Sequence, residues 1–182
     1  MTRFAYMTSE QLAQHPIPHK RTELVRGRLV IREPSTLRHG DVTARTVTAI
    51  SNYLEENPIG RAYTADPGFT LERNPDTVRA PDVAYISQDR IPTAEVPGFD
   101  ELAPDLAVEV RSPGDRTRAL QRKVRQWLDA GTRLVWLIDP AKGTAHVFRR
   151  DGTDSALARD DALDGEDVLP GFRVALQRLL PE

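Results

Sequence analysis

Between residues 105 and 139 three segments follow one another in an order that leaves few folds open. Leu106-Ala107-Val108-Glu109-Val110 lies in a run over residues 105–111 that reads as a buried strand. Leu120, Val124, Trp127 and Leu128 then form one stripe on a helix over residues 115–130, which Gly131 stops. A second apolar strand occupies residues 134–139. Strand, helix and strand in succession imply a crossover joining two parallel strands, and hence an α/β domain.

The rest of the chain fits around that unit. Thr8-Ser9-Glu10-Gln11 reads as a capping box that starts a short helix, which ends before Pro16. Thr22-Glu23-Leu24-Val25 and Arg28-Leu29-Val30-Ile31 flank Arg26-Gly27 as the arms of a tight hairpin. Val47, Ile50, Tyr53 and Leu54 recur at helical spacing within residues 40–57, and further strands are expected at residues 62–66, 68–72, 82–87 and 145–149. Residues 151–167 are acidic and weakly patterned, whereas Val168-Leu169-Pro170-Gly171-Phe172 reads as a closing segment packed back on the core. A length of 182 residues without repeat or linker suits one domain over residues 1–182.

Composition narrows the chemistry. With no cysteine there is no disulfide, thiolate zinc site or cysteine nucleophile, so a metal must be held by oxygen or imidazole, which points to Mg²⁺ or Mn²⁺. Met1-Thr2-Arg3-Phe4-Ala5-Tyr6 lacks the apolar core of a secretory leader, and no apolar run is long enough to cross a membrane, so a cytoplasmic location is expected. A formal net charge of −2 argues against coating nucleic acid through bulk positive charge. Arg111, Arg116, Arg118, Arg122, Lys123 and Arg125 nevertheless crowd one segment, either as a local basic face or as a solvated helix surface. There is no GxGxxG loop, Walker loop, HExxH or GxSxG elbow, and Ser112 in Arg111-Ser112-Pro113-Gly114 belongs to a turn.

Glu109 is the most informative single residue, because a carboxylate inside an apolar strand must be paired or bound to metal. Asp82 stands just after Pro81 at the start of another apolar strand, where it either ends a turn or serves with Glu109. Two carboxylates from neighbouring strands can hold a hard divalent cation with waters completing the shell. Lys123 flanks the stripe of Leu120, Val124 and Trp127, so it either snorkels from an amphipathic helix or reaches the carboxylates along the sheet.

The ordered series Glu23-Leu24-Val25-Arg26-Gly27-Arg28-Leu29-Val30, Arg38-His39, Ala80-Pro81-Asp82-Val83, Pro104-Asp105-Leu106-Ala107-Val108-Glu109-Val110-Arg111-Ser112-Pro113, Lys123-Val124-Arg125-Gln126-Trp127, Trp136-Leu137-Ile138-Asp139-Pro140 and Leu169-Pro170-Gly171-Phe172 resembles the Uma-two family, DUF820-type, within the PD-(D/E)xK nuclease superfamily. The resemblance runs from about Thr8 to Leu180. It implies a restriction-endonuclease-like α/β fold, a mixed central sheet flanked by helices, with Asp82 and Glu109 in the acidic metal positions. The expected lysine two residues past Glu109 is Arg111 here, and Lys123 stands where the family moves it onto the following helix. Glu23 matches an N-terminal acidic position, where it binds a second metal, positions Lys123, or is simply an exposed strand residue. His39 matches a position before the long helix, where it touches a phosphate or caps that helix, and Arg111 joins it as a substrate-binding candidate.

The expected activity is hydrolysis of nucleic acid, DNA first, by water activated on Mg²⁺ or Mn²⁺, with Asp82, Glu109 and the Val110 carbonyl as ligands and Lys123 orienting the nucleophile. Cutting both strands of a duplex would call for a homodimer. Two competing readings stay open: a non-catalytic nucleic-acid-binding or assembly module on the same fold, and a glycosidase-like acid/base pair at Asp82 and Glu109.

Overall fold

The Thr8 side chain accepts from the Gln11 backbone N–H while the Gln11 side chain returns the bond, and this capping box opens α1 (Ser9–Gln14) in a computed structural model that describes residues 6–94 and 96–181. Residues 1–5, on which the leaderless reading of the N-terminus rests, lie outside the described residues. Strands β1 (Arg21–Val25) and β2 (Arg28–Arg32) form the hairpin, with φ of +50° at Arg26 and +72° at Gly27, the paired left-handed residues that match strand twist in a two-residue turn.

Helix α2 (Leu37–Glu56) begins three residues before the expected start, because Thr36 caps it through its side chain. Strand β3 (Gly60–Thr64) ends sooner than expected, since Ala65 and Asp66 both turn left-handed, at φ of +64° and +62°. Then come β4 (Phe69–Glu72), β5 (Thr77–Arg79), β6 (Val83–Ser87), β7 (Leu106–Val110), α3 (Thr117–Asp129), β8 (Leu134–Asp139) and β9 (Thr144–Arg149). The acidic tail is not patternless: it supplies β10 (Asp154–Leu157) and β11 (Ala162–Asp164), followed by β12 (Arg173–Ala175) and the one-turn α4 (Leu176–Leu179).

The central sheet runs β10-β9-β8-β7-β6-β3, and its one parallel pair is β7 with β8, the strands that α3 joins. A smaller antiparallel sheet, β2-β1-β5-β4, stands beside it. Alternation along β7 sends Val108 and Val110 into a large core with α2 residues Val42, Ile50 and Leu54, while Ala107 packs on the other face with Val124 and Trp127 of α3. Val168, Leu169 and Phe172 join the larger core, so the closing segment does pack back as expected. Among the described residues no helix is long and apolar enough to cross a membrane.

Candidate active site

Glu109 shares the α3 face of β7 with Ala107, and period-2 alternation therefore delivers its carboxylate to the helix. Residues 123 and 127 of α3, one turn apart, meet it there. Lys123 Nζ donates to Glu109 Oε2 at 2.9 Å and the Trp127 indole N–H donates to Oε1 at 2.8 Å. The ammonium also donates to the Ala80 carbonyl at 2.8 Å and lies 2.9 Å from Glu23 Oε1, so three protons face three acceptors. Glu23 is in turn held by Arg79 Nη1 at 2.8 Å and by the Ala80 N–H at 3.1 Å. Register explains the first contact: Leu24 pairs with Val78 across β1 and β5, which sets Glu23 opposite Arg79. Gln126, on the same side of α3, accepts from Arg79 Nε at 2.9 Å.

Asp82 sits at the entry to β6, where the end of β7 leaves a backbone N–H free. Its Oδ2 accepts from Val110 N at 2.7 Å. Its Oδ1 accepts from Arg21 Nη2 at 3.0 Å and faces His39 Nε2 at 3.2 Å. Arg21 also pairs with Asp66. Glu23, Asp82, Glu109, Lys123, Arg79 and His39 are all buried.

The three carboxyls titrate in opposite directions. Burial alone would raise Glu23, but the charges of Lys123 and Arg79 overcome it and hold the group at about 2 instead of 4.5. Asp82 is likewise raised by burial and then brought down to about 2 by His39, Lys123 and the Val110 N–H. Glu109 is lifted to about 7 by burial, with Asp82 and Glu23 adding to the effect and Lys123 opposing it.

For Glu23 and Asp82 the folded value lies below the unfolded one, so their stabilisation is complete above about 4.5 and disappears as pH falls towards 2. Glu109 has the opposite sign: its ionisation works against folding increasingly from 4.5 up to about 7. Urea midpoints measured against pH should therefore show a shallower acid limb in Glu23→Gln than in the native chain. Native and variant curves that run parallel below 4.5 would contradict the lowered value of Glu23.

Glu23, Asp82, Glu109, Val110, Lys123 and Asp66 all line one pocket of about 620 Å³. The donor set suits a divalent cation in kind: an ionised buried aspartate, a second carboxylate, and the Val110 carbonyl. That carbonyl points to the same edge of β7 as the Val110 N–H that bonds Asp82, the edge beyond the start of β6. Among the described residues no group of three or more His, Cys, Asp or Glu is arranged to hold an ion, so a cation here would have two carboxylates and a carbonyl as its protein ligands.

The structure thus brings together Asp82, Glu109, Lys123, Glu23 and Val110, and adds His39, whose ring faces Asp82 while Thr36 does the capping. It does not bring Arg111 into the pocket: that side chain bonds Asp139 at 3.2 Å and Thr117 Oγ1 at 3.1 Å. Arg116, Arg118, Arg122 and Arg125 are exposed, as a helix surface requires. Four partners escaped the sequence reading. Trp127 was read only as apolar, and Arg79 and Gln126 carried no local signal. Arg21 could have been found, because it stands two residues before Glu23 and so on the same face of β1.

The sequence model of the Uma2 family, described as "Putative restriction endonuclease", matches residues 9–177. The chain belongs to this family. A solved structure of "a putative nuclease belonging to DUF820" from Anabaena variabilis superposes on the Uma2 chain with a TM-score of 0.82 at 21% identity, covering 95% of this chain and 97% of the other. The two share the mixed sheet flanked by helices. No curated protein matches this Uma2 chain significantly.

Proposed function

We propose that this Uma2 protein is an endonuclease that hydrolyses phosphodiester bonds, in DNA first, with Mg²⁺ or Mn²⁺ held by Asp82, Glu109 and the Val110 carbonyl. The observation that carries this reading is the meeting at one end of β7 of an ionised buried aspartate and a glutamate that a helix-borne ammonium touches at 2.9 Å, inside one pocket. A divalent ion there would polarise the phosphate and acidify a water. Lys123 sets a positive charge against the pocket that would offset charge on the phosphate, and it would orient the nucleophile by giving up one of its three internal acceptors. Glu23 and Arg79 are positioning residues that fix Lys123 from behind. His39 steadies Asp82, which its ring nitrogen meets at 3.2 Å. Because a duplex has two strands, we extend the reading to a homodimer with two such sites.

The test is nicking and linearisation of supercoiled plasmid over time in Mn²⁺, Mg²⁺ or EDTA. Cutting that needs the ion and is lost in Asp82→Ala supports the proposal, and cutting that persists in EDTA overturns it.

One observation favours a second reading, a nucleic-acid-binding module without catalysis. Each carboxylate oxygen of Asp82 and Glu109 already meets an internal donor, so the site is satisfied by the chain's own groups. Titration calorimetry with Mn²⁺ separates the two readings, because the module requires no heat of ion binding at Asp82.

A further inference from the structure

Four cations stand close enough to the pocket to meet an anionic substrate: Lys123, Arg32, Lys20 and Arg21. Lys123 is buried, and its three protons already face three acceptors. Arg32 is engaged by Asp115 at 3.3 Å and lies 3.7 Å from Glu23. Lys20 is drawn to the rim by Glu33 at 2.6 Å. Arg21 differs from all three. It alone combines contact with a carboxylate proposed to hold the ion, Asp82, whose side chain is 6% exposed, with a side chain that keeps 28% of its own surface open.

Its bonds are also arranged for exchange. One nitrogen, Nη2, is shared between Asp82 Oδ1 and Asp66, while Nη1 gives only a single bond to Ser35 Oγ at 3.1 Å. Asp66 is presented by two consecutive left-handed residues, Ala65 and itself, at φ of +64° and +62°. Such a conformation is unfavourable for alanine and persists only where the surroundings require it. Here it turns a carboxylate towards Arg21 at the pocket wall.

Arg21 occupies an oxygen of Asp82 that a divalent ion would compete for, so ion and guanidinium are rivals. A guanidinium displaced from Asp82 keeps Asp66 as a partner and has a planar fork of donors open to the pocket, which matches the oxygens of a phosphate. We propose that Arg21 is the phosphate-binding residue of this site: it neutralises Asp82 in the ion-free state, and passes to the substrate's phosphate, anchored by Asp66, when the ion takes Asp82. This inference rests on the nuclease reading above and names the group that takes the phosphate.

Two binding measurements test it without any cleavage. Anisotropy of a short fluorescein-labelled DNA duplex in Ca²⁺ reports phosphate binding, and calorimetry with Mn²⁺ alone reports the ion site. In Arg21→Ala the duplex should bind about tenfold or more weakly, while Mn²⁺ should bind roughly tenfold more tightly because its rival is gone. Arg21→Lys keeps the charge but loses the fork, and should recover only part of the duplex affinity. Asp66→Asn leaves the guanidinium to Asp82 alone and should weaken Mn²⁺ binding. Far-ultraviolet circular dichroism and urea midpoints establish that each variant folds.

Opposite shifts in the two affinities support the proposal, since a purely structural arginine would move both downwards. Weakening of both, a change in neither, or a native chain that does not bind the duplex overturns it. Plasmid cleavage is judged separately: a native chain that cuts, with duplex affinity unchanged in Arg21→Ala, leaves the nuclease reading standing and removes this inference alone.

Discussion

Glu109→Gln should lower divalent-ion-dependent plasmid cleavage by on the order of 10²–10³-fold, the loss expected when several kcal/mol of charge stabilisation are removed from the transition state. The amide has nearly the shape of the carboxylate, but its chemistry conflicts with the site. Glu109 accepts from Lys123 on one oxygen and from the Trp127 indole on the other. Glutamine offers one acceptor and one NH₂ group, so whichever way it turns, a donor meets a donor. The ion would lose a negative ligand at the same position. Cleavage kinetics and Mn²⁺ calorimetry on the same preparation check the outcome, and a variant that cuts at the native rate removes Glu109 from the active site.

Lys123→Met should destabilise the folded chain by roughly 3–5 kcal/mol, the usual consequence of removing one partner of a buried ion pair. Methionine is an unbranched chain of nearly the same length, so packing on α3 changes little and the loss is electrostatic. Glu109 would keep only the Trp127 indole, the Ala80 carbonyl would lose its ammonium donor, and Glu23 would retain Arg79 and the Ala80 N–H. Combining Lys123→Met with Glu109→Gln removes the stranded charge, so the double variant should be more stable than the sum of the two single changes by at least about 1 kcal/mol. Urea unfolding of the four chains measures this coupling. A Lys123→Met midpoint close to the native one would mean that the ammonium contributes nothing to the fold.

What could be read in advance follows from where the physical signal lies. β7, α3 and β8 were legible because apolar runs and a helical stripe are local patterns, and their order demanded a parallel pair. Glu109 and Lys123 were legible because each is a charged residue in an apolar setting. β5 was not, since Thr77, Val78 and Arg79 have little apolar pattern and owe their burial to distant partners, the flanking strands, Leu12 of α1 and Gln126 of α3. The tail strands were missed for a similar reason: an acidic stretch presents single inward residues such as Leu163 and Val174, too few to show a period. Arg79 and Arg21 find their acids 56 and 61 residues away, a separation at which only the folded chain supplies the contact. Asp66 depends on a left-handed pair, Ala65 and Asp66, in which neither residue is a glycine.

The acids and the base of this site belong to different parts of the architecture. Glu109 is carried by the sheet and Lys123 by the crossover helix, while Arg111, two residues beyond Glu109, is tied to Asp139 at the end of β8. Over evolutionary time such an arrangement lets inheritance of the two halves come apart. A lineage could keep the sheet and its carboxylates while its helix drifts, and would then lose the ammonium that here meets Glu109. Another could vary position 111 without disturbing the pocket, because that side chain is held outside it by Asp139 and Thr117.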